Sequence, residues 1–322
     1  MAEADVPNMM FLTVTWAADR SHFSLLHHSL GRSALAAVPH HVVVQHEDLS
    51  LFQGFADART QLHSSAEILP DAVETRRNNA RCWQRRLGRG ATRLAGSLAR
   101  HLGHPDWVRY TGWHTQQLTK LAFVAASTVD TVVVMDSDVI VTPHARAEDF
   151  LRPEHIVCYR DERPAADLRG KVLHWQETAC RLFDDPFVAA ATYDGYYDTP
   201  FVLHAPSVRA MLAWLEQRYR RPWWLTLVQQ PPRRWSEFGL YKHFLRHHPS
   251  PPVDWRSADI MGYLFDARDI THLTQSFADL IQRQQSHCIT IHSQSSGRQL
   301  WTADTYGEAI RGVLDAAYPE PT

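Results

Sequence analysis

The sequence predicts a mixed α/β fold built on a mainly parallel sheet flanked by helices. Two short runs rich in β-branched and aromatic residues, 11–16 (FLTVTW) and 41–45 (HVVVQ), lie on either side of a helical stretch near 21–30. Strand, helix and strand at this spacing are the opening of a parallel α/β sheet. A third run, 131–135 (TVVVM), is almost continuously β-branched, as expected of a strand covered on both faces.

The other elements follow from local pattern. The segment 113–126 is predicted to form the helix before the third strand. Further helices are predicted near 207–218, 237–246 and 274–283, and a late strand over 288–292. The segment 222–235, rich in tryptophan and proline, is predicted to be a structured loop rather than a linker.

Composition excludes several classes of protein. With 44% hydrophobic and 21% charged residues, the chain is globular, and a net charge of −2 does not favour nucleic acid as a partner. No apolar run approaches the ~18 residues of a membrane span, so no transmembrane segment is expected. None of the four cysteines forms a C-x-x-C pair, which argues against a zinc ribbon. We expect a cytoplasmic enzyme with reduced thiols.

The strongest chemical motif comes at the end of the third strand. Asp136 and Asp138 lie two residues apart, and in extended backbone their side chains point the same way. The carboxyl ends of strands in open α/β sheets form the ligand crevice. Two carboxylates there suit Mg²⁺ or Mn²⁺, which would also bind substrate phosphates. The alternative is that both residues only cap the following turn.

The motif and its surroundings resemble the GT-A class of glycosyltransferases. The resemblance extends in particular to a bacterial group described only as glycosyltransferase-like. It rests on the helix GWHTQQLTKL at 112–121, on the strand ending in Asp136-Ser137-Asp138, and on SEFGLY at 236–241. It spans about residues 11–300 and is specific near 112–142 and 236–241.

This resemblance implies a fold, a reaction and a cofactor. The fold is a Rossmann-like GT-A sheet with a C-terminal acceptor-side portion. Residues 1–142, with an arginine-rich helical insert at 71–100, would bind the nucleotide sugar. Residues 143–322 of the same domain would bind the acceptor and complete the metal site. The donor is expected to be a UDP- or GDP-sugar, with Mn²⁺ or Mg²⁺ as cofactor and a glycan or small molecule as acceptor.

The resemblance also suggests His292 as a third metal ligand, beside Asp136 and Asp138, because many GT-A enzymes have a C-terminal histidine ligand. A surface histidine at a strand end is the alternative. Glu237 follows Ser236, a good N-cap, at a predicted helix start. A carboxylate placed like this deprotonates the acceptor hydroxyl in inverting enzymes, so Glu237 is the candidate general base. Stabilisation of the first helical turn is the alternative.

Donor contacts are expected from the residues around the first and third strands. Gln116, Gln117 and Lys120 lie on adjacent turns of the preceding helix, and Lys120 is one of only three lysines. A lysine retained among so many arginines suggests a point-charge contact to phosphate or sugar; a solvated helix face is the alternative. Asp19, after the first strand, could contact the base or ribose. The run YDGYYD at 193–198 is typical of sugar-binding loops or of a packed turn.

The sequence has two basic regions, and each allows a different kind of acceptor. Eight arginines lie between Arg76 and Arg100, forming either a solvated helix face or a site for diphosphate or acidic lipid. Tryptophans beside arginines at 220–235 would suit a membrane surface, an acceptor sugar, or packing on the arginine-rich segment. Docking would imply a lipid-linked acceptor and a peripheral enzyme at the inner membrane face.

Two other functions compete. Haloacid-dehalogenase-like phosphatases also end an apolar strand with D-x-D, and Asp136 would then be the nucleophile. Their motif usually ends the first strand, and they need a downstream lysine, for which only Lys171 and Lys242 are available. A non-catalytic carbohydrate-binding module would bind the donor without turnover.

Overall fold

The computed structural model describes residues 8–101, 112–231, 233–265, 269–292 and 303–318. The strands are β1 (Met9–Thr15), β2 (His40–Val44), β3 (Thr60–Ser64), β4 (Thr131–Val134), β5 (Val139–Val141), β6 (Ile156–Arg160), β7 (Glu162–Pro164), β8 (Thr192–Asp194), β9 (Phe201–His204), β10 (Val253–Ser257), β11 (Met261–Leu264) and β12 (Cys288–Ile291). The helices are α1 (Arg20–Arg32), α2 (Leu49–Phe52), α3 (Ser65–Ile68), α4 (Asp71–His101), α5 (Trp113–Ala126), α6 (Gly170–Leu182), α7 (Ala205–Tyr219), α8 (Trp223–Val228), α9 (Glu237–His247), α10 (Ile270–Gln282) and α11 (Ala303–Ala317).

The central sheet has five strands in the order β3-β2-β1-β4-β9. The first four are parallel, and β9 closes the edge antiparallel to β4. All seven residues of β1 are buried, and Val132, Val133 and Val134 of β4 have no exposed area. This continuous burial explains the unbroken apolar pattern of β4. The predicted α/β class, a mainly parallel sheet flanked by helices, is confirmed.

A smaller sheet in the order β11-β12-β5 places the C-terminal segment beside the central sheet. β12 runs antiparallel to β5, with Thr290 opposite Val139. The N–H of Ile291 donates to the Asp138 carbonyl over 3.1 Å. This register brings the end of β12 alongside the residues that follow β4. An apolar cluster including Leu25, Phe277 and Ile310 packs α1, α10 and α11 beside this sheet.

Two predicted segments differ in detail from the structure. The arginine-rich segment is helical, but α4 breaks at Gly88, whose φ of 77° favours glycine. The predicted structured loop at 222–235 contains the short helix α8. Within the described residues, no helix combines the length and the apolar character needed to cross a bilayer.

Candidate active site

The carboxyl ends of β1, β2 and β4 open onto a cavity of about 760 Å³. All eight site residues singled out in the sequence lie in its wall, although they come from five separate parts of the chain. These residues are Asp19, Gln116, Gln117, Lys120, Asp136, Asp138, Glu237 and His292. The fold therefore brings the predicted residues together around one cavity.

The D-x-D turn is held in place by the strand ends around it. The Ser137 hydroxyl donates to the Thr15 hydroxyl at the end of β1 over 2.7 Å. The Asp136 N–H donates to the Thr199 hydroxyl over 3.1 Å. These bonds fix the turn while the Asp136 side chain keeps 39% of its surface exposed. The carboxylate is thus presented to the cavity on a rigid support.

Lys120 forms a buried bridge between two of the predicted acidic residues. Its Nζ lies 2.9 Å from Asp136 Oδ1 and 3.2 Å from Glu237 Oε1, and its side chain is 3% exposed. The interpretation as a solvated helix face is therefore wrong, because α5 turns this residue inward. Burial lowers the pKa of Lys120, but attraction by both carboxylates outweighs it. The pKa lies above its ordinary value and the ammonium stays charged.

Glu237 is the first residue of α9, as predicted. Ser236 caps the helix, accepting from the Phe238 N–H over 3.2 Å, and the Glu237 N–H donates to Gln117 Oε1 over 3.0 Å. The Glu237 carboxylate has only 1% of its side-chain surface exposed. Burial raises its pKa, Lys120 opposes this rise, and Asp136 adds to it. Its assignment as general base stays a prediction.

His292 follows β12 and also lines the main cavity. Its ring stacks on Phe265 with centroids 4.3 Å apart. Its Nε2 atom is buried and has no hydrogen-bond partner among the described residues. Burial lowers the His292 pKa, while Asp198 and Asp136 partly oppose the shift. Burial thus favours the neutral ring, which carries a nitrogen without a hydrogen-bond partner in the described part of the chain.

The donor set suits a divalent cation. It combines two carboxylates that reach the cavity with an imidazole nitrogen that no described residue hydrogen-bonds. In the described part of the chain, only Cys180, Asp185 and His243 form a trio with all potential ligand atoms within 4.8 Å of one another. The ligand atoms of Asp136, Asp138 and His292 are therefore more widely spaced. A cation here would need further oxygens, from substrate or water.

The remaining predicted residues lie nearer the first strand. Gln116 Nε2 donates to the Val14 carbonyl over 3.1 Å, which fixes α5 against β1. Asp19 accepts from Trp16 Nε1 over 2.6 Å, and Trp16 is 44% exposed. Both Asp19 and Trp16 line the cavity. This end therefore presents an aromatic face next to a carboxylate.

Three further residues of the cavity wall come from segments that the sequence indicated as candidate binding segments without singling out these residues. Asp198 belongs to the aromatic–acidic run at 193–198. Burial together with Asp136 raises the Asp198 pKa against the effect of His292. Arg77 and Arg81 also line the cavity, and Arg77 is 2% exposed, with Nη1 2.8 Å from Glu74. Among the side chains of this segment that the structure describes, those in the cavity wall lie in the first turns, whereas Arg85 and Arg86 are exposed.

A second cavity of about 660 Å³ adjoins the first. The two share Asp198 and Phe265 in their walls. The second cavity adds Trp255 and Tyr263 as aromatic lining, together with charged residues of the 160–163 segment. Two adjacent cavities are suited to two substrates.

The tryptophans at 223–235 mostly pack inward. Trp235 has no exposed area, so a membrane-facing role for it is wrong. Trp223 and Trp224 are half-buried against the core, and the Arg76 guanidinium lies 5.6 Å from the Trp224 ring centroid. Packing against the arginine-rich segment, one of the three alternatives, is what the structure contains.

Solved structures of glycosyltransferases resemble the chain over most of its length. The galactosyltransferase LgtC, in complex with donor and acceptor sugar analogues, is 10% identical, with 97% of this chain and 98% of that chain covered and a TM-score of 0.45. Mouse xyloside xylosyltransferase 1 in its apo form is 10% identical, with coverage of 89% and 98% and a TM-score of 0.40. GlyE of Streptococcus pneumoniae TIGR4 is 10% identical, with coverage of 97% and 65% and a TM-score of 0.43. These TM-scores are below 0.5. The fold class of this chain is therefore given by its own sheet order.

Sequence comparison identifies the family. No curated protein matches the sequence. The model of DUF6492, described as a family of unknown function, matches residues 10–250. This range includes α5, the D-x-D turn and α9, the segments on which the predicted site depends. The chain therefore belongs to the family of unknown function DUF6492.

Proposed function

We propose that this chain is a metal-dependent glycosyltransferase that uses a nucleotide-sugar donor. The observation that carries the proposal is the pair Asp136 and Asp138 at the end of a buried parallel strand, facing one cavity with His292. The cavity volume of about 760 Å³ falls within the roughly 300–1,000 Å³ typical of sites for small molecules.

The donor is assigned to the main cavity. Trp16 and Asp19 provide a stacking face and an acceptor for the base or ribose. Gln116, Gln117 and the buried guanidinium of Arg77 provide donors for the sugar and diphosphate. A Mg²⁺ or Mn²⁺ ion held by Asp136, Asp138 and His292 would neutralise charge on the departing nucleoside diphosphate.

The protein groups around the reacting atoms have separate tasks. In the reaction, the bond from the anomeric carbon to the diphosphate oxygen breaks, and the acceptor oxygen forms the new bond. The acceptor proton passes to a base, for which Glu237 is the candidate, and transfer would then invert the anomeric carbon. The buried ammonium of Lys120 orients the Asp136 carboxylate, with Nζ 2.9 Å from Oδ1.

The acceptor is assigned to the adjoining cavity. A glycan or small-molecule hydroxyl bound near Trp255 and Tyr263 would enter the main cavity past Asp198 and Phe265, which both cavities share. The flat faces of aromatic side chains suit sugar rings, and carboxylates suit their hydroxyls. An acceptor binding here would leave the donor side undisturbed.

A binding screen followed by product analysis tests the proposal. In Mn²⁺, the cognate UDP- or GDP-sugar should raise the melting temperature, since a ligand at roughly 100 times its Kd adds about 2.7 kcal/mol of stability. The same donor should then release nucleoside diphosphate. Binding without turnover would support a non-catalytic module. Phosphate release from phosphomonoesters would support the phosphatase with Asp136 as nucleophile.

A further inference from the structure

A second cluster of potential metal ligands lies away from the main cavity. It forms where the C-terminal end of α6 packs beside the C-terminal half of α9. Its members are Cys180 on α6, Asp185 just after α6, and His243 and His247 on α9. Cys180, Asp185 and His243 offer ligand atoms that all lie within 4.8 Å of one another.

The end of α6 is folded so as to place two of these ligands together. Asp184 adopts a left-handed φ of 57°, and the Asp185 N–H donates to the Cys180 carbonyl over 2.9 Å. This is the long-range bond of a Schellman motif, which closes the last turn of a helix. It turns the chain back, so that the Asp185 carboxylate approaches the buried thiol of Cys180.

α9 supplies two imidazoles on the same face. His243 and His247 are four residues apart, one helical turn. Their Nε2 atoms lie 3.4 Å and 3.3 Å from the same Asp185 oxygen, Oδ2. His243 is 4% exposed, and its Nε2 is buried with no hydrogen-bond partner among the described residues. The Phe183 ring stacks on His243 with centroids 5.3 Å apart, which fixes its plane.

Two of the six edges of a zinc tetrahedron can be compared with these distances, the two from Asp185 Oδ2 to the imidazole nitrogens. His247 is outside the trio of ligand atoms within 4.8 Å of one another, so its side chain would move closer on binding. Zinc binds histidine nitrogen and carboxylate oxygen at about 2.0–2.2 Å, so ligand atoms at the tetrahedral angle lie about 3.3–3.5 Å apart. Both observed nitrogen–oxygen separations agree with this range. Both are ion-pair contacts without the alignment of a hydrogen bond, so the buried Nε2 of His243 has no hydrogen-bond partner among the described residues.

We propose that Cys180, Asp185, His243 and His247 form a Zn²⁺ site separate from the main cavity. One sulfur, two imidazole nitrogens and one carboxylate oxygen suit Zn²⁺ better than Mg²⁺ or Mn²⁺. Cys180 and His243 are buried, whereas the side chains of Asp185 and His247 are 42% and 50% exposed, which gives the ion a path from solvent.

The site would act as a brace between two helices that reach the main cavity. Lys171 and Trp175 on α6, and Glu237 and Phe238 on α9, line that cavity. A zinc ion joining the far ends of α6 and α9 would fix the distance between these two walls. This role does not depend on the reaction that the cavity performs, because it concerns the position of helices.

Metal binding to the full-length chain tests the site. Asp136→Asn/Asp138→Asn serves as the parent, so that the main cavity does not contribute. After removal of metal, Zn²⁺ is titrated in competition with a chromophoric chelator. We expect one equivalent to bind, with excess Mn²⁺ unable to compete. Co²⁺ in place of Zn²⁺ should give a thiolate-to-metal charge-transfer band that disappears in Cys180→Ala.

Substitution of single ligands tests whether the zinc binds at these four residues. His247→Ala should weaken binding by more than about 100-fold, since even changes to the partners of ligands cost about 10–100-fold. His248→Ala, the neighbouring exposed histidine, should bind normally. If His247→Ala melts below the metal-free parent, Asp185→Asn takes its place. Absence of zinc binding in the parent, undiminished binding in Cys180→Ala, or Co²⁺ binding without the thiolate band would each overturn the proposal.

Discussion

The two ends of α9 present opposite chemistry. At its N-terminus, Glu237 is buried against Lys120 in a closed network of charges, next to carboxylates that face the cavity. Six residues later, His243 carries a buried nitrogen with no hydrogen-bond partner in the described residues. The first arrangement suits hard cations and phosphates, the second a soft metal. α9 therefore connects the proposed active site at its N-terminus to the proposed zinc site near its C-terminus.

The largest effect is expected at the N-terminal end of α9, next to the carboxylates that face the cavity. Asp138→Ala should lower turnover by several orders of magnitude, because it removes one of two carboxylates proposed to hold the catalytic cation. Circular dichroism and the melting temperature should stay close to wild type, as should turnover of the exposed control Asp167→Ala. Unfolding of Asp138→Ala would instead make this carboxylate structural.

Glu237→Gln tests whether the first residue of α9 takes part in proton transfer. Loss of a general base should lower turnover by about 10²–10⁴, with donor affinity nearly unchanged and an inverted anomeric centre in the wild-type product. Glu308→Gln, on an exposed face of α11, is the matched control. Normal turnover at saturation with weak donor binding would move Glu237 to the donor site.

Lys120→Met tests the closed charge network through stability. Removing one partner of a buried ion pair leaves uncompensated charge and costs about 3–5 kcal/mol in the free energy of unfolding. The solvent-exposed Lys171→Met should change it by less than about 0.5 kcal/mol. Adding Glu237→Gln to Lys120→Met should recover part of the loss, since the buried carboxylate becomes neutral. Urea unfolding of the wild type and the three variants measures these effects; equal losses for both lysines would contradict the network.

The smallest effect concerns whether the acceptor is bound to a membrane or soluble. Leu94 and Leu98 lie one turn apart on α4 and are 70% and 58% exposed, and Arg85 and Arg86, before the break at Gly88, are exposed too. Exposed leucines and arginines on one segment favour weak docking on anionic membranes, at about 1 kcal/mol per arginine. Vesicle co-sedimentation should fall with salt and in Leu94→Glu/Leu98→Glu, but not in Trp224→Ala. No binding at low salt would favour a soluble acceptor.

The sequence predicts those features that depend on residues close together in the chain. The helix α5, the strand β4 and the Ser236 cap depend on neighbouring residues, and all three are present in the structure. β9 was missed because its four residues form a strand only beside β4. The convergence of Asp19 with Asp136 and Asp138 was predictable, because the carboxyl ends of the parallel strands β1 and β4 meet at one edge of the sheet. The placement of Glu237 and His292 beside them rested on the family resemblance.

Long-range pairings were beyond the sequence. Lys120 is notable in the sequence as one of three lysines. Nothing in the neighbouring residues indicates that α5 directs it toward Asp136 and Glu237. The Cys180 cluster was equally hidden, because its ligands come from two helices some 60 residues apart in sequence. The absence of a C-x-x-C pair excluded the common zinc motifs only. Tertiary contacts between separate helices create both features.

Nucleoside diphosphate release from a nucleotide sugar tests the central claim most directly. The chain is stripped of metal, dialysed free of chelator and supplied with one equivalent of Zn²⁺, so that the state of the Cys180 cluster does not vary. We predict no release until Mn²⁺ or Mg²⁺ is added, and release at a rate that depends on the acceptor thereafter. Full release without added Mn²⁺ or Mg²⁺, or no release from any UDP- or GDP-sugar while phosphomonoesters are hydrolysed, would contradict the account.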